Sequence, residues 1–297
     1  MDFRLDRFAT LYLVSPFLRL AKGSERCVPI LMYHSISDDD ESNVHPYYRT
    51  KTSPAKFAAQ VKFLRENGYK TCSLAAALQH VQLAAQAKLV VITFDDGYRN
   101  FYHHAFPVLN QYGFGATVFL PTAYIGENPV SFKGTDCLTW AEIRELSRHG
   151  VAFGSHTVTH PQLHELSVAK IQEEIVISRR TIEDMLGYAV ESFAYPYAFP
   201  QTDTEFKKML GDLLRQAGYQ NGVCTVVGRG NPRSEPLFLE RLPVNSCDDA
   251  PLFEAKLAGA YDWIGKSQYI AKKGKSYLRS LTGERKYSVS SDFPCSS

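Results

Sequence analysis

The chain has 297 residues, with 33 Lys and Arg against 31 Asp and Glu, so its formal net charge is +2. Hydrophobic residues make up 44% of the chain and charged residues 22%, proportions that exclude a disordered or fibrous protein. The near balance of charge excludes a strongly basic nucleic-acid coat, so no nucleic-acid partner is expected.

Three apolar runs of strand length occur in the first half of the chain, at residues 28–33, 89–94 and 115–120. Ser53 followed by Pro54 is a typical helix start, and Gly68 is a typical stop, so a helix is predicted between them. The run at 89–94 is β-branched and apolar on both faces. That pattern indicates a strand in a parallel sheet covered on both sides.

The second half continues the alternation of strands and helices. Thr139 and Glu142 form a capping box for a helix that ends at Gly150, and Ser167 caps a longer helix that closes at Gly187. A third helix is predicted at 203–217, and strands are predicted at 151–153 and 222–227. This order favours a parallel sheet in a single domain, either open or closed into a barrel.

The two ends of the chain differ from this body in charge. Residues 1–26 carry five basic and three acidic side chains, and residues 262–297 carry seven and three. The body, residues 27–261, is therefore net −4. We predict an N-terminal arm, one central domain and a basic C-terminal tail with these boundaries.

The N-terminal residues lack the features of a targeting segment. Ser15 and Pro16 interrupt the apolar stretch at 8–18, and no small-residue cleavage site follows it. A bilayer-spanning helix needs about 20 apolar residues, which this stretch does not supply. The six cysteines contain no C-x-x-C pair. We therefore expect a cytoplasmic protein with reduced thiols.

Three clusters of chemically active residues follow predicted strands, at the end where parallel α/β folds place their active sites. In the first, Asp95 and Asp96 directly follow the strand at 89–94 and precede Gly97. Two adjacent carboxylates repel each other, and a metal ion would relieve that repulsion. The alternative is an Asp pair that only caps a strand-to-helix turn.

The second cluster contains two histidines four positions apart, His156 and His160. Together with Asp96 they would give the three-ligand open site of a hydrolytic metal centre. His164 continues the spacing, so His160 with His164 is a rival pair. The third cluster, residues 193–198, has the sequence F-A-Y-P-Y-A, and its spacing alone is that of an aromatic strand ended by proline.

Together, T-F-D-D-G at 93–97, H-T-V-T-H at 156–160 and the Y-P-Y segment resemble the polysaccharide deacetylases, the carbohydrate esterases of the NodB-homology type. The resemblance covers about residues 28–245. It implies a distorted (β/α) barrel and a divalent metal, usually zinc. It also implies hydrolysis of an acetyl group, usually an N-acetyl group, from a saccharide.

The resemblance also implies roles for individual residues. Asp95 would be the general base, Asp96, His156 and His160 would bind the metal, and the backbone N–H of Tyr197 would stabilise the oxyanion. That combination is chemically consistent, because a metal and a carboxylate together activate water near neutral pH.

Two positions depart from the family pattern. Ala194 stands where the third motif usually has an arginine that orients the catalytic Asp, and we predict Arg241 as its replacement. The family's late L-x-H histidine is also missing, since no histidine follows His164. His34 is the predicted general acid, as in the branch with an N-terminal Y-H motif that includes the poly-N-acetylglucosamine deacetylases. The alternative for His34 is a structural residue at a strand end.

Two other functions remain open from the sequence. A catalytically degenerate saccharide-binding domain would keep the barrel without turnover. A glycoside hydrolase would need two carboxylates about 5–9.5 Å apart, which the adjacent Asp95 and Asp96 match poorly. The expected substrate is an N-acetylated saccharide, either a glycan in biosynthesis, such as an exopolysaccharide, or a lipid-linked sugar.

The ends suggest a second kind of partner. Apolar and aromatic side chains lie beside arginines in the N-terminal arm, and the C-terminal tail is rich in lysine. Such segments suit peripheral contact with the inner face of an anionic membrane. The alternative is an arm that packs on the barrel and a solvated tail.

Overall fold

Seven parallel strands close into a barrel in the computed structural model, which describes residues 4–20, 27–83, 88–230 and 234–281. Each strand pairs with the next one along the chain, and the last pairs with the first. The strands are β1 (Ile30–Tyr33), β2 (Leu89–Phe94), β3 (Thr117–Leu120), β4 (Ala152–Ser155), β5 (Ser192–Ala194), β6 (Asn221–Val227) and β7 (Leu239–Pro243). The distorted (β/α) barrel predicted from the family resemblance is confirmed.

Helices lie outside the barrel and at its ends. They are α1 (Leu5–Phe8), α2 (Ser15–Leu20), α3 (Pro54–Glu66), α4 (Leu74–Leu83), α5 (Phe106–Tyr112), α6 (Trp140–Arg148), α7 (Val168–Leu186), α8 (Thr204–Ala217), α9 (Ala250–Leu257) and α10 (Trp263–Leu281). Short strands add to them: Lys70–Thr71 extends the sheet along β2, Ser35–Ile36 pairs with Lys51–Thr52, and Ser131–Phe132 pairs with Thr135–Asp136 in a hairpin.

The helix caps predicted from the sequence are present. Ser53 accepts a hydrogen bond from the backbone of Lys56, and Thr139 and Glu142 form the reciprocal capping box of α6. Ser167 caps α7, which ends at Gly187 in the left-handed conformation. Each of these polar groups satisfies backbone atoms that a helix end leaves unpaired.

Alternate side chains of the strands fill two separate cores, as the two-residue period of a strand requires. In β2, Val90 and Ile92 belong to the cluster between barrel and helices, whereas Val91 belongs to the cluster inside the barrel. Gly154 of β4 makes room for this inner cluster, because a Cβ there would lie 2.6 Å from the ring of Phe119. Leu74 of α4 joins the inner cluster, so α4 covers the N-terminal end of the barrel.

Both ends of the described chain contain helices. Residues 5–20 form one helical segment, made of α1, a π-helical stretch (Ala9–Val14) and α2. The C-terminal segment forms α10 as far as Leu281, and the rest of the predicted tail lies outside the described residues. No helix among the described residues has the length and apolar character needed to cross a membrane.

Candidate active site

The predicted chemical residues gather at the C-terminal end of the barrel, opposite α4. Asp95 and Asp96 follow the last residue of β2, His34 follows the last residue of β1, and His156 follows the last residue of β4. Because all seven strands are parallel, these positions meet at one rim. Tyr197 follows β5 at the same rim.

A buried ion pair orients Asp95. Arg241 on β7 donates two hydrogen bonds of 2.7 Å, one to each carboxylate oxygen, and it also donates to Thr93 Oγ1 and to the carbonyl of Cys224. Burial acts to raise the pKa of Asp95, but the charge of Arg241 outweighs it and holds that pKa below its usual value. The carboxylate is thus ionised at neutral pH. Arg241, which we predicted to replace the arginine of the family's third motif, is therefore in contact with Asp95.

The position of Ala194 in the barrel accounts for a small apolar residue where the family motif usually has an arginine. Its side chain lies in the inner core of the barrel, and its carbonyl accepts a hydrogen bond of 2.8 Å from His156 Nδ1. Since a carbonyl can only accept, this contact fixes the proton on Nδ1 and leaves Nε2 free as a ligand atom. Burial lowers the pKa of His156 to about 4, so the imidazole is neutral at neutral pH.

Three candidate ligand atoms converge beside the Asp95–Arg241 ion pair. Asp96 Oδ1 lies 3.6 Å from His156 Nε2 and 3.3 Å from His160 Nε2. All three side chains are buried. Among the described residues, this is the one group of three or more His, Cys, Asp or Glu side chains whose atoms lie close enough together to hold a metal ion. His164, the rival ligand, lies outside it, with a side chain that is one-third exposed and near Glu165.

The trio fits a zinc ion. Two ligands about 2.0–2.2 Å from a tetrahedral zinc lie about 3.3–3.6 Å apart, which matches both separations from Asp96 Oδ1. That oxygen is buried and has no hydrogen-bond partner within the described protein. An orphaned buried carboxylate oxygen is costly unless a cation completes it. One carboxylate and two imidazoles with an open fourth position is also a donor set that catalytic zinc sites use.

The loop that carries the two histidines is held by residues that the sequence analysis did not identify. Glu174 of α7 accepts hydrogen bonds from the backbone N–H groups of Val158 and Thr159 and from the Thr159 hydroxyl. Thr157 Oγ1 accepts from the backbone N–H of His160. Glu174 follows Val158 by 16 positions, too far for any local pattern to reveal the contact.

Backbone strain concentrates at this rim. Among the described residues, the non-glycine residues with positive φ are Asp96, Lys133, Thr157, His160 and Tyr197. Four of them belong to the predicted motifs, and the Nζ atom of Lys133 lies 4.0 Å from Asp96 Oδ2. Each such conformation costs about 1–3 kcal/mol and persists where the surrounding structure imposes it, most often at functional sites.

The remaining predicted residues border the trio and the ion pair. His34 Nε2 lies 3.9 Å from Asp95 Oδ2, and its side chain is partly exposed at the rim. The half-exposed ring of Tyr197 stands edge-on to His160, with centroids 4.6 Å apart. Lys133, which the sequence analysis missed, lies over the Tyr197 ring from the hairpin turn at 133–134.

Comparison with known proteins places this site in a family. The family model described as polysaccharide deacetylase matches residues 83–222. The Bacillus subtilis (strain 168) protein YxkH, whose name places it among the polysaccharide deacetylases, is 32% identical over 237 residues, covering 79% of this chain and 75% of its own. A Staphylococcus aureus poly-beta-1,6-N-acetyl-D-glucosamine N-deacetylase (strain N315) is 25% identical over 77% of this chain and 82% of its own.

Solved structures share the fold. The Streptococcus pyogenes deacetylase PplD in complex with acetate superposes with a TM-score of 0.66 at 23% identity, covering 78% of this chain and 98% of its own. BC0361, a polysaccharide deacetylase from Bacillus cereus, gives 0.64 at 25% identity, covering 78% and 69%. The relative that is 32% identical over 79% of the chain shows that the chain belongs to the polysaccharide deacetylase family and is a carbohydrate deacetylase.

Proposed function

We propose that the protein removes the acetyl group from an N-acetylated saccharide by metal-dependent hydrolysis. Asp96, His156 and His160 would be the ligands of a divalent metal, for which Zn²⁺ is our first choice. The observation that carries this proposal is the orphaned Asp96 Oδ1 facing two imidazole Nε2 atoms. The Asp95–Arg241 pair beside it supplies a second, separately oriented carboxylate.

The residues of this chain divide the chemistry between them. A Zn²⁺ ion held by Asp96, His156 and His160 would supply Lewis acidity toward the carbonyl oxygen and would make water at the site easier to deprotonate. Asp95, kept ionised by Arg241, accepts the proton from the attacking water. His34, near Asp95 Oδ2, donates a proton to the leaving amine, and the N–H of Tyr197 hydrogen-bonds the oxygen that becomes negative.

The name of one relative supports a proposal for the substrate class. A Staphylococcus aureus relative is named for deacetylation of poly-beta-1,6-N-acetyl-D-glucosamine. We propose N-acetylglucosamine oligosaccharides as the substrate of this chain, in free form or attached to a lipid carrier during biosynthesis. The proposed location is the cytoplasm.

Acetate release tests the proposal. Purified protein is incubated with free, nucleotide-linked and lipid-linked N-acetyl sugars, before and after removal of metal by a chelator. We expect acetate with at least one substrate, loss of activity after chelation, and recovery on addition of Zn²⁺. Saccharide binding without acetate would instead support the degenerate binding domain, and new reducing ends would support a glycoside hydrolase.

Replacing His34 by asparagine is expected to lower kcat by about 100-fold or more, because the leaving amine would lose its proton donor. Metal content, measured by elemental analysis, should stay the same, since His34 is not one of the three proposed ligands. The exposed His45→Asn is the matched control and should leave kcat unchanged. Activity retained in His34→Asn would assign the acid role to another group.

A further inference from the structure

The N-terminal helical segment, residues 5–20, exposes large apolar side chains to solvent. Leu5, Tyr12 and Phe17 are 71%, 61% and 73% exposed, and Leu13 is 54% exposed. The rings of Phe8 and Tyr12 contact each other, with centroids 5.2 Å apart. Leu13 and Phe17 are separated by four positions, as are Phe8 and Tyr12. A contiguous exposed apolar surface of this kind marks an interaction site.

The opposite side of this segment is anchored to the protein. Arg4 forms ion pairs with Asp6 and with the buried Asp248, and Asp6 accepts a hydrogen bond of 2.7 Å from the Tyr261 hydroxyl. Thr10 is buried and accepts a hydrogen bond of 3.0 Å from the indole of Trp263. The segment is thus docked in a fixed orientation that directs its apolar face outward.

Packing beneath the far end of the segment is incomplete. A cavity of about 560 Å³ lies between it and α9, lined mainly by apolar side chains that include Leu11, Pro16, Leu18 and Ala255. The described residues leave this cavity unfilled, and Leu13 and Phe17 stay largely exposed to solvent. The cavity and these two side chains would both accept hydrocarbon.

The neighbouring helix α10 carries the matching charge. It begins at Trp263, in contact with Thr10, and its sequence to Leu281 contains five Lys or Arg and no Asp or Glu. Lys266 and Lys273 are exposed, and so is Ile270, at 70%. An apolar helix face beside a helix with only positive charges is the composition of an interfacial membrane contact.

We propose that the N-terminal helical segment and α10 dock the protein on an anionic lipid surface, with Leu13 and Phe17 inserted among the acyl chains. A second copy of this chain is a poorer occupant. A two-fold contact across this face would bring two copies of the basic α10 together, whereas anionic headgroups neutralise it. Lipid binding does not depend on the acetyl-releasing chemistry, so it can be measured in the absence of a saccharide substrate.

The test is co-sedimentation of the full chain with phosphatidylcholine vesicles, with and without phosphatidylglycerol. The wild type should bind the anionic vesicles, and Leu13→Ser/Phe17→Ser should weaken the partition constant by roughly tenfold or more. Val168→Ser/Ile177→Ser, which alters two similarly exposed residues on α7, should bind like the wild type. Lys266→Gln and Lys273→Gln should each weaken binding about fivefold.

Three outcomes would overturn the proposal. The first is that the wild type does not bind anionic vesicles, and the second is that the Leu13/Phe17 and Val168/Ile177 variants bind equally. The third is that the wild type binds no vesicles but forms a dimer in sedimentation velocity, and Leu13→Ser/Phe17→Ser dissociates that dimer. Far-ultraviolet circular dichroism and acetate release should be unchanged in the Leu13/Phe17 variant. These measurements separate a docking defect from failure of the active site.

Discussion

Replacing Arg241 by methionine is expected to lower the free energy of unfolding by about 3–5 kcal/mol, because it leaves the Asp95 carboxylate buried without its cation. Both side chains are essentially inaccessible to solvent, and the pair is bidentate at 2.7 Å. Urea denaturation, followed by circular dichroism, measures the loss.

Arg215 gives a matched control. It pairs with Glu235 at the same distance of 2.7 Å, but about half of its side chain is exposed. Arg215→Met should therefore cost less than about 1 kcal/mol. The double variant Asp95→Asn/Arg241→Met should lose less than the sum of the two single variants, since the uncompensated charge is gone. Equal costs for Arg241→Met and Arg215→Met would contradict the importance of the buried pair.

Replacing Asp95 by asparagine is expected to lower kcat for acetate release by about 10³–10⁴, the upper part of the range for loss of a general base. An amide cannot accept the proton from water. Metal content should remain, because Asp96 and the two histidines are unchanged, and KM should change much less than kcat.

Two controls keep this result specific. Asp136→Asn, an exposed carboxylate in the nearby hairpin, should leave kcat unchanged. The unfolding curve of Asp95→Asn must show a folded protein at the assay temperature, since the change also leaves Arg241 with a weaker partner. Activity within tenfold of the wild type would place the general base elsewhere.

Local patterns predicted most of the barrel. The strand at 89–94 has the predicted limits, because its residues are apolar on both faces and polar groups bound it. The strand predicted at 28–33 begins only at Ile30. Pro29 cannot donate to a neighbouring strand, which shortens the regular pairing.

The site was predictable where its residues stand directly after strands. The adjacent Asp95 and Asp96 and the H-T-V-T-H motif are local in sequence, and their place at strand ends brings them to one rim. Glu174 and Lys133 carry no such signal. Glu174 reaches the histidine loop from within α7, and Lys133 depends on a hairpin whose strands have two residues each. Only the tertiary structure brings these side chains to the site.

The Asp95–Arg241 pair also sets an order of events during protein synthesis. The two residues are 146 positions apart, and Arg241 lies on the last strand of the barrel. At about 5–20 residues per second, Arg241 leaves the ribosome about 7–30 s after Asp95. Until then β1 and β6 keep open edges that invite aggregation or chaperone binding. The Asp95 carboxylate therefore gains its buried cation partner only when the final strand closes the barrel.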